Sequence, residues 1–349
     1  LAKIQEKHQV TAPLPHSIAQ SAWQQALAEA ISSVSELLDL LDLPPQLLQN
    51  PTGANPCPDL EPDFPLRVPR SYAALMRKGD PDDPLLRQVL PLQAERQQVA
   101  GFVTDPVGDR PALRAQGLLQ KYPGRALLIA TGACAIHCRY CFRRHFPYQE
   151  QQGLADQWRS SLEQLRRDGS SELVLSGGDP LTLSNSRLRA LLQALQGLPE
   201  LRRVRLHSRL PLVLPERIDV ELVELGRLLP GRPIMVIHCN HAQELGEAAR
   251  LALQRLQQAG WVLYNQSVLL RGINDSAATL AELSERLFDL GVQPYYLHQL
   301  DPVQGAAHFA ISDEQARGLH RQLLGRLPGY LVPRLVREIP GAISKTPLS

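Results

Sequence analysis

The sequence predicts an α/β fold in which six strand-and-helix units build a parallel sheet and curl it into a full or partial barrel. Three observations carry this. Six short apolar runs of β type recur from residue 126 onward, helical patterns separate them, and polar residues of chemical interest stand at the end of every run. Parallel strands need crossover connections of one preferred hand, which leaves an open doubly wound sheet or a barrel. An open sheet would scatter the polar ends, whereas a barrel gathers them at one mouth.

Taken in order, "ALLIAT" closes on Thr131 and leads to Cys134, and "ELVLSGG" closes on Gly177, Gly178 and Asp179. "VRLHS" delivers Ser208 and Arg209, and "IMVIHC" delivers His238. Asn265 and Gln266 interrupt the fifth run, "VLYNQSVLL", and the sixth, "PYYLHQL", leads from His298 to Asp301. Segments such as "EAARLALQRLQQAG" and "EQARGLHRQLLGRL" have the apolar spacing of the crossover helices. Ahead of the barrel, "SAWQQALAEAISSVSELLDLLDL" reads as helical and meets a proline-rich connector, and "SYAALMRKGDPDDPLLRQVL" reads as a second helical stretch. The expected organisation is a helical region and connector over 1–66, a helical lead-in over 67–120, the barrel over 121–330 and a C-terminal segment over 331–349.

Composition limits the function. Lys and Arg number 37 against 35 Asp and Glu, a net charge of +2, so no strong field gathers nucleic acid or an anionic membrane. No run reaches the roughly 18 apolar residues of a membrane span, and the N-terminus lacks the apolar core of a signal peptide. The absence of an initiator Met points to a trimmed chain. Five cysteines are too few for a disulfide scaffold in a chain this long, which favours a reducing cytoplasm. Cys57, alone in the connector, reads as a free or partly buried thiol with no assigned role, and Cys239, beside His238, is expected only to pack.

The other three lie together in "GACAIHCRYCFRRHF", at Cys134, Cys138 and Cys141. Three thiols form an incomplete tetrahedral site. Spacing alone leaves open a zinc completed by His137 or His145, an iron–sulfur centre, or a redox pair in "CRYC". Of the following arginines, Arg144 reads as a surface charge.

The spacing Cys134-x3-Cys138-x2-Cys141, with Tyr140 before the last thiol, resembles the signature of radical S-adenosylmethionine enzymes. "SGGDP", from Ser176 to Pro180, resembles the glycine-rich motif that meets that cofactor's amino group. "KYPGRALL", "CFRRHFPY", "HSRLPLVLPERI", "NQSVLLRGIND", "PYYLHQLDPVQGAAHF" and "SKTPL" then occur in the order of the lysine 2,3-aminomutases. The segment "RVPRSYAALMRKGDPDDPLLRQVL" extends the likeness to the branch serving β-lysylation of bacterial elongation factor P.

The resemblance implies a partial (β/α)6 barrel of the radical-SAM type. It implies a [4Fe–4S] cluster on Cys134, Cys138 and Cys141, S-adenosyl-L-methionine on its fourth iron, and pyridoxal 5′-phosphate on Lys345. Tyr140, Ser176, Gly177, Gly178, Asp179, His238 and Gln266 match cofactor positions. Lys121, Tyr122 and Arg125 match positions around the pyridoxal phosphate group. The family prefers arginine where Lys121 stands, so the charge is kept and the bidentate fork is lost. Arg143 corresponds to the clamp on the substrate carboxylate, and Asp301 and Glu338 to the grip on lysine's distal amine. The implied reaction moves the amino group of lysine from C2 to C3, with an electron-donor protein reducing the cluster and a separate ligase placing β-lysine on elongation factor P. Ser276 stands where the free-standing enzymes carry a zinc-binding cysteine, and the chain stops four residues after Lys345, so the shorter branch fits better. Two other readings are a radical aminomutase for another amino acid and a non-enzymatic zinc-binding interaction protein.

Overall fold

The computed structural model describes residues 21–44, 64–151 and 157–348. Cys57 and most of the proline-rich connector lie outside the described residues. One ten-stranded sheet runs in chain order from β1 (Leu113–Ala115) and β2 (Leu118–Tyr122) through β3 (Arg125–Thr131), β4 (Glu172–Gly177), β5 (Arg203–Ser208), β6 (Ile234–His238), β7 (Val262–Leu269) and β8 (Gln293–Gln299) to β9 (Arg334–Arg337) and β10 (Thr346–Pro347). Strands β3 to β9 are parallel to their neighbours, while β1, β2 and β10 add on antiparallel at the two ends. The sheet does not rejoin itself, so the barrel is partial.

The six expected strands are β3 to β8. Their interiors alternate or run fully apolar, as in Leu173, Val174 and Leu175 of β4, because helices cover the outer face. The longer crossover helices are Gln157–Asp168, Asn185–Gln196, Glu247–Gln258, Ala277–Asp289 and Asp313–Arg326. Their starts are chemically marked: Ser184 accepts from Arg187 N, Ser276 from Thr279 N and Ser312 from Gln315 N. Ser276 thus caps a helix in this chain.

Two expectations are corrected. A seventh parallel strand, β9, pairs with β8 through Tyr296, Leu297 and His298, so a boundary at 330/331 cuts one sheet. The lead-in is not mainly helical. Only Arg70–Ala73 forms an α-turn in "SYAALMRKGDPDDPLLRQVL", with a 3-10 turn at Leu86–Gln88. The buried Asp83 carboxylate accepts from the backbone N–H groups of Arg77, Leu85 and Leu86, which holds the chain in a loop that a continuous helix could not form.

The N-terminal helices, Ala22–Ala28 and Val34–Leu40, do occur, and their Trp23, Leu37 and Leu38 belong to the same apolar cluster as the strands. The Arg217 guanidinium lies 4.6 Å above the Trp23 ring. Among the described residues no helix is long and apolar enough to cross a membrane.

Candidate active site

A cavity of about 1220 Å³ opens at the C-terminal ends of the parallel strands. Every residue nominated from the sequence lies on its wall: Cys134, Cys138, Cys141, Tyr140, Arg143, Lys121, Tyr122, Arg125, Ser176, Gly177, Gly178, Asp179, His238, Gln266, Asp301, Glu338 and Lys345. The thiols follow β3. Glu338 follows β9, and Lys345 immediately precedes β10.

The cysteine loop is held from both sides. From the barrel, Gly178 N donates to Thr131 O and Asp179 N to Ala133 O, each at 2.8 Å. From the lead-in, Arg67 O accepts from His137 N at 3.0 Å and Gln88 O from Arg139 N at 2.9 Å. Arg144 is not a surface charge. It is buried and shares the Glu95 carboxylate with Arg139, at 2.8 and 2.6 Å, because two adjacent guanidiniums there need a common anion. His137 Nδ1 lies 2.7 Å from Pro65 O and His145 Nε2 3.1 Å from Gln304 O, so both candidate zinc histidines already serve the backbone. Among the described residues no three His, Cys, Asp or Glu side chains are grouped to hold a single metal ion.

Glycines let β4 approach this loop. Gly177 has φ +118°, and a Cβ on Gly178 would sit 2.3 Å from Ala133 O. Gly178→Ala should therefore push the cysteine loop outward and destabilise the protein by about 1–3 kcal/mol. A lowered Tm with reduced iron uptake is the expected result, and an unchanged Tm with full iron would refute the close-approach account.

Burial raises the pKa of Cys134 and Cys141, and the neighbouring thiols raise both further. Such a group of thiols ionises readily only when cations bind it.

On the same wall an ion-pair chain joins further nominated residues. Arg143 Nε donates to Asp109 Oδ2 at 2.6 Å, and Lys121 Nζ is 2.7 Å from Asp109 Oδ1 and 3.8 Å from Glu338 Oε1. Glu338 accepts from Tyr122 Oη at 2.5 Å and from Lys345 Nζ at 2.8 Å. Arg125 stacks on the Tyr122 ring at 4.9 Å. Burial works against the Glu338 carboxylate, but Lys345 and Tyr122 outweigh it and hold its pKa below normal. Asp109 was missed from sequence: in "DPVGDR" it reads as a turn residue, and nothing local reveals that it bridges Arg143 and Lys121. Against burial, those cations hold its pKa at about 2.

Several polar atoms on the wall lack protein partners. Asp301 Oδ1, His207 Nε2 and His238 Nε2 are buried without a hydrogen bond. Burial pushes Asp301 up to about 7, with Lys345 opposing, and pushes His238 down to about 4; His207 and His298 are also lowered, chiefly by burial. Each unmade bond costs about 1–3 kcal/mol, so a polar ligand is the natural complement. Asp179 differs. Its carboxylate accepts from Ser208 Oγ, Arg209 N and Leu181 N, so its side chain serves the protein. The Tyr140 hydroxyl likewise sits in a buried network with Gln88, Asn240 and Arg209, leaving only the ring to the cavity. Ser176 and Gln266 line the wall, and Cys239 is fully buried in the core.

Residues 128–228 match the family model described as the Radical SAM superfamily, which defines the class. Wider similarity is to L-lysine 2,3-aminomutases. The Escherichia coli enzyme is 49% identical over 93% of this chain and 94% of its own, and that of Haemophilus influenzae 42% over the same shares. The Clostridium subterminale enzyme is 35% identical over 79% of this chain and 67% of its own. The chain belongs to the lysine 2,3-aminomutase family. Membership implies a [4Fe–4S] cluster, S-adenosylmethionine and pyridoxal 5′-phosphate. The wall fits them: three thiols for iron, orphaned polar atoms for ligand groups, and for a phosphorylated aldehyde the Lys345 amine, held on Glu338, on the same wall as Tyr122, Lys121 and Arg125.

Proposed function

We propose that the chain converts α-lysine to β-lysine, with Cys134, Cys138 and Cys141 holding the cluster and Lys345 holding pyridoxal phosphate. When bound, these groups supply the carbon radical and carry the migrating nitrogen. The protein's share is placement: Arg143 faces the substrate carboxylate, and Asp301 and Glu338 face the distal ammonium. Lys121, Tyr122 and Arg125 receive the phosphate. Gly177, Gly178, Ser176, His238 and Gln266 contact the cofactors.

The observation carrying this reading is the buried, unpartnered Asp301 Oδ1 on the same wall as Lys345 and Glu338. A carboxyl lifted to about 7 is half protonated at neutrality when the site is empty, and a cationic substrate binds its ionised form. KM for lysine should therefore fall as pH rises from about 6 to about 8. Asp301→Asn should flatten that dependence and lower kcat/KM by more than about a hundredfold, since a buried charge losing its partner costs about 3–5 kcal/mol. Glutamate should not react. Glutamate turnover equal to that of lysine, or unchanged lysine kinetics in both Asp301→Asn and Glu338→Gln, would refute the substrate and favour a radical aminomutase for another amino acid.

The same reading has a low-potential electron-donor protein reduce the cluster in a reducing cytoplasm. It sends β-lysine to a ligase acting on elongation factor P. The four cysteines among the described residues are all free, in keeping with that compartment. Formation of β-lysylated elongation factor P when protein, ligase and factor are combined with α-lysine tests the pathway.

A further inference from the structure

We propose that Arg209 sets the reduction potential of the cluster by hydrogen bonding to the sulfur of Cys138, and that Glu244 moderates its charge. The inference rests on the reading above that Cys138 is a cluster ligand.

Arg209 follows β5 and is only 5% exposed. Its backbone N–H donates to Asp179 Oδ2 at 2.7 Å, which fixes where the side chain starts. Nη1 reaches Cys138 Sγ at 2.7 Å and Tyr140 Oη at 2.9 Å. Nη2 reaches Gln88 Oε1 at 2.7 Å, Glu244 Oε2 at 2.8 Å and Tyr72 Oη at 3.0 Å. The guanidinium also lies 5.3 Å from the Tyr72 ring and 5.9 Å from the Tyr140 ring. A side chain held this firmly cannot swing away from the sulfur.

Glu244 is fully buried, and its other oxygen accepts from Asn240 N and His241 N. Arg209 therefore spans a candidate ligand sulfur and a fixed anion. An iron–sulfur cluster becomes more negative by one charge when a one-electron donor reduces it. Hydrogen bonds to its sulfurs and nearby net charge determine how easily that happens. A cation on Cys138 favours the reduced form. An anion behind the cation weakens that preference.

The experiment is an anaerobic redox titration of reconstituted full-length protein, with dithionite as reductant and the reduced cluster's EPR signal as readout. Arg209→Gln should lower the reduced-to-oxidised ratio at a fixed potential by about tenfold, or about 59 mV for one electron. Arg209→Lys should stay nearer the wild type. Glu244→Gln should move the potential the opposite way. A purely structural role predicts shifts of the same sign in both variants, and that result overturns the proposal. If Arg209→Gln does not hold iron, an unchanged potential in Glu244→Gln is sufficient to overturn it. A wild type without a four-iron cluster overturns the functional reading itself, whereas an intact cluster with unshifted variants overturns only this inference.

Discussion

Alanine at any one of Cys134, Cys138 or Cys141 should abolish iron binding and S-adenosylmethionine cleavage together, while alanine at Cys239 leaves both intact. The first three thiols face one cavity, and burial with mutual repulsion holds Cys134 and Cys141 protonated until a cation arrives. A cubane held by three protein ligands has no spare thiolate, so losing one removes a corner of the site. Cys239 has no such exposure: it is fully buried and directs its Sγ to His241 O at 3.4 Å. Iron per chain, visible absorbance and release of 5′-deoxyadenosine are the measurements. Full iron and cleavage in Cys138→Ala would overturn the ligand set. A colourless wild type carrying one zinc would instead support a non-enzymatic clip.

Lys345→Ala should remove covalently bound pyridoxal and all lysine turnover while leaving the iron content unchanged. The two losses separate because Lys345 is held by Glu338, whereas the cysteine loop is held by backbone bonds to Arg67, Gln88, Gly178 and Asp179. Lys345→Arg sharpens the test. Arginine can still pair with Glu338 but offers no primary amine, so charge is kept and attachment is lost. Borohydride reduction followed by peptide mass mapping should place the pyridoxal on Lys345 in the wild type and nowhere in either variant. Pyridoxal still attached in Lys345→Ala would assign the role to another lysine.

Parts of this architecture were legible in sequence for definite physical reasons. Strands β3 to β8 are apolar runs bounded by polar ends, and their helices have one apolar stripe each, so both periodicities are local signals. Strand β9 is only "RLVR", four residues with a charge at each end, and pairing with β8 alone reveals it. The lead-in misled because its apolar spacing is helical while Asp83 holds it as a loop. Arg144 looked like a surface charge because its partner, Glu95, is 49 residues away in sequence. Asp109 was hidden in the same way. Lys345 carries no local signal and is nominated only through the family motif "SKTPL".

The gap in the sheet has a consequence for how the protein breathes. Backbone ladders knit β1 through β10, but segments near the two ends of the sheet meet through side chains: Tyr122 and Lys121, in β2, reach Glu338 after β9, and Gly108 lies against Pro340. The hoop is closed by a clasp that includes Lys121, Tyr122 and Glu338, residues proposed to meet cofactor and substrate. Ladder bonds are indifferent to what fills the cavity, whereas this clasp is remade whenever Lys345 or Glu338 takes a new partner. Loading of the cavity is therefore expected to shift the opening of the hoop. Amide exchange along β2 and the β9–β10 hairpin should slow on loading, while β4 to β6 hold their pace.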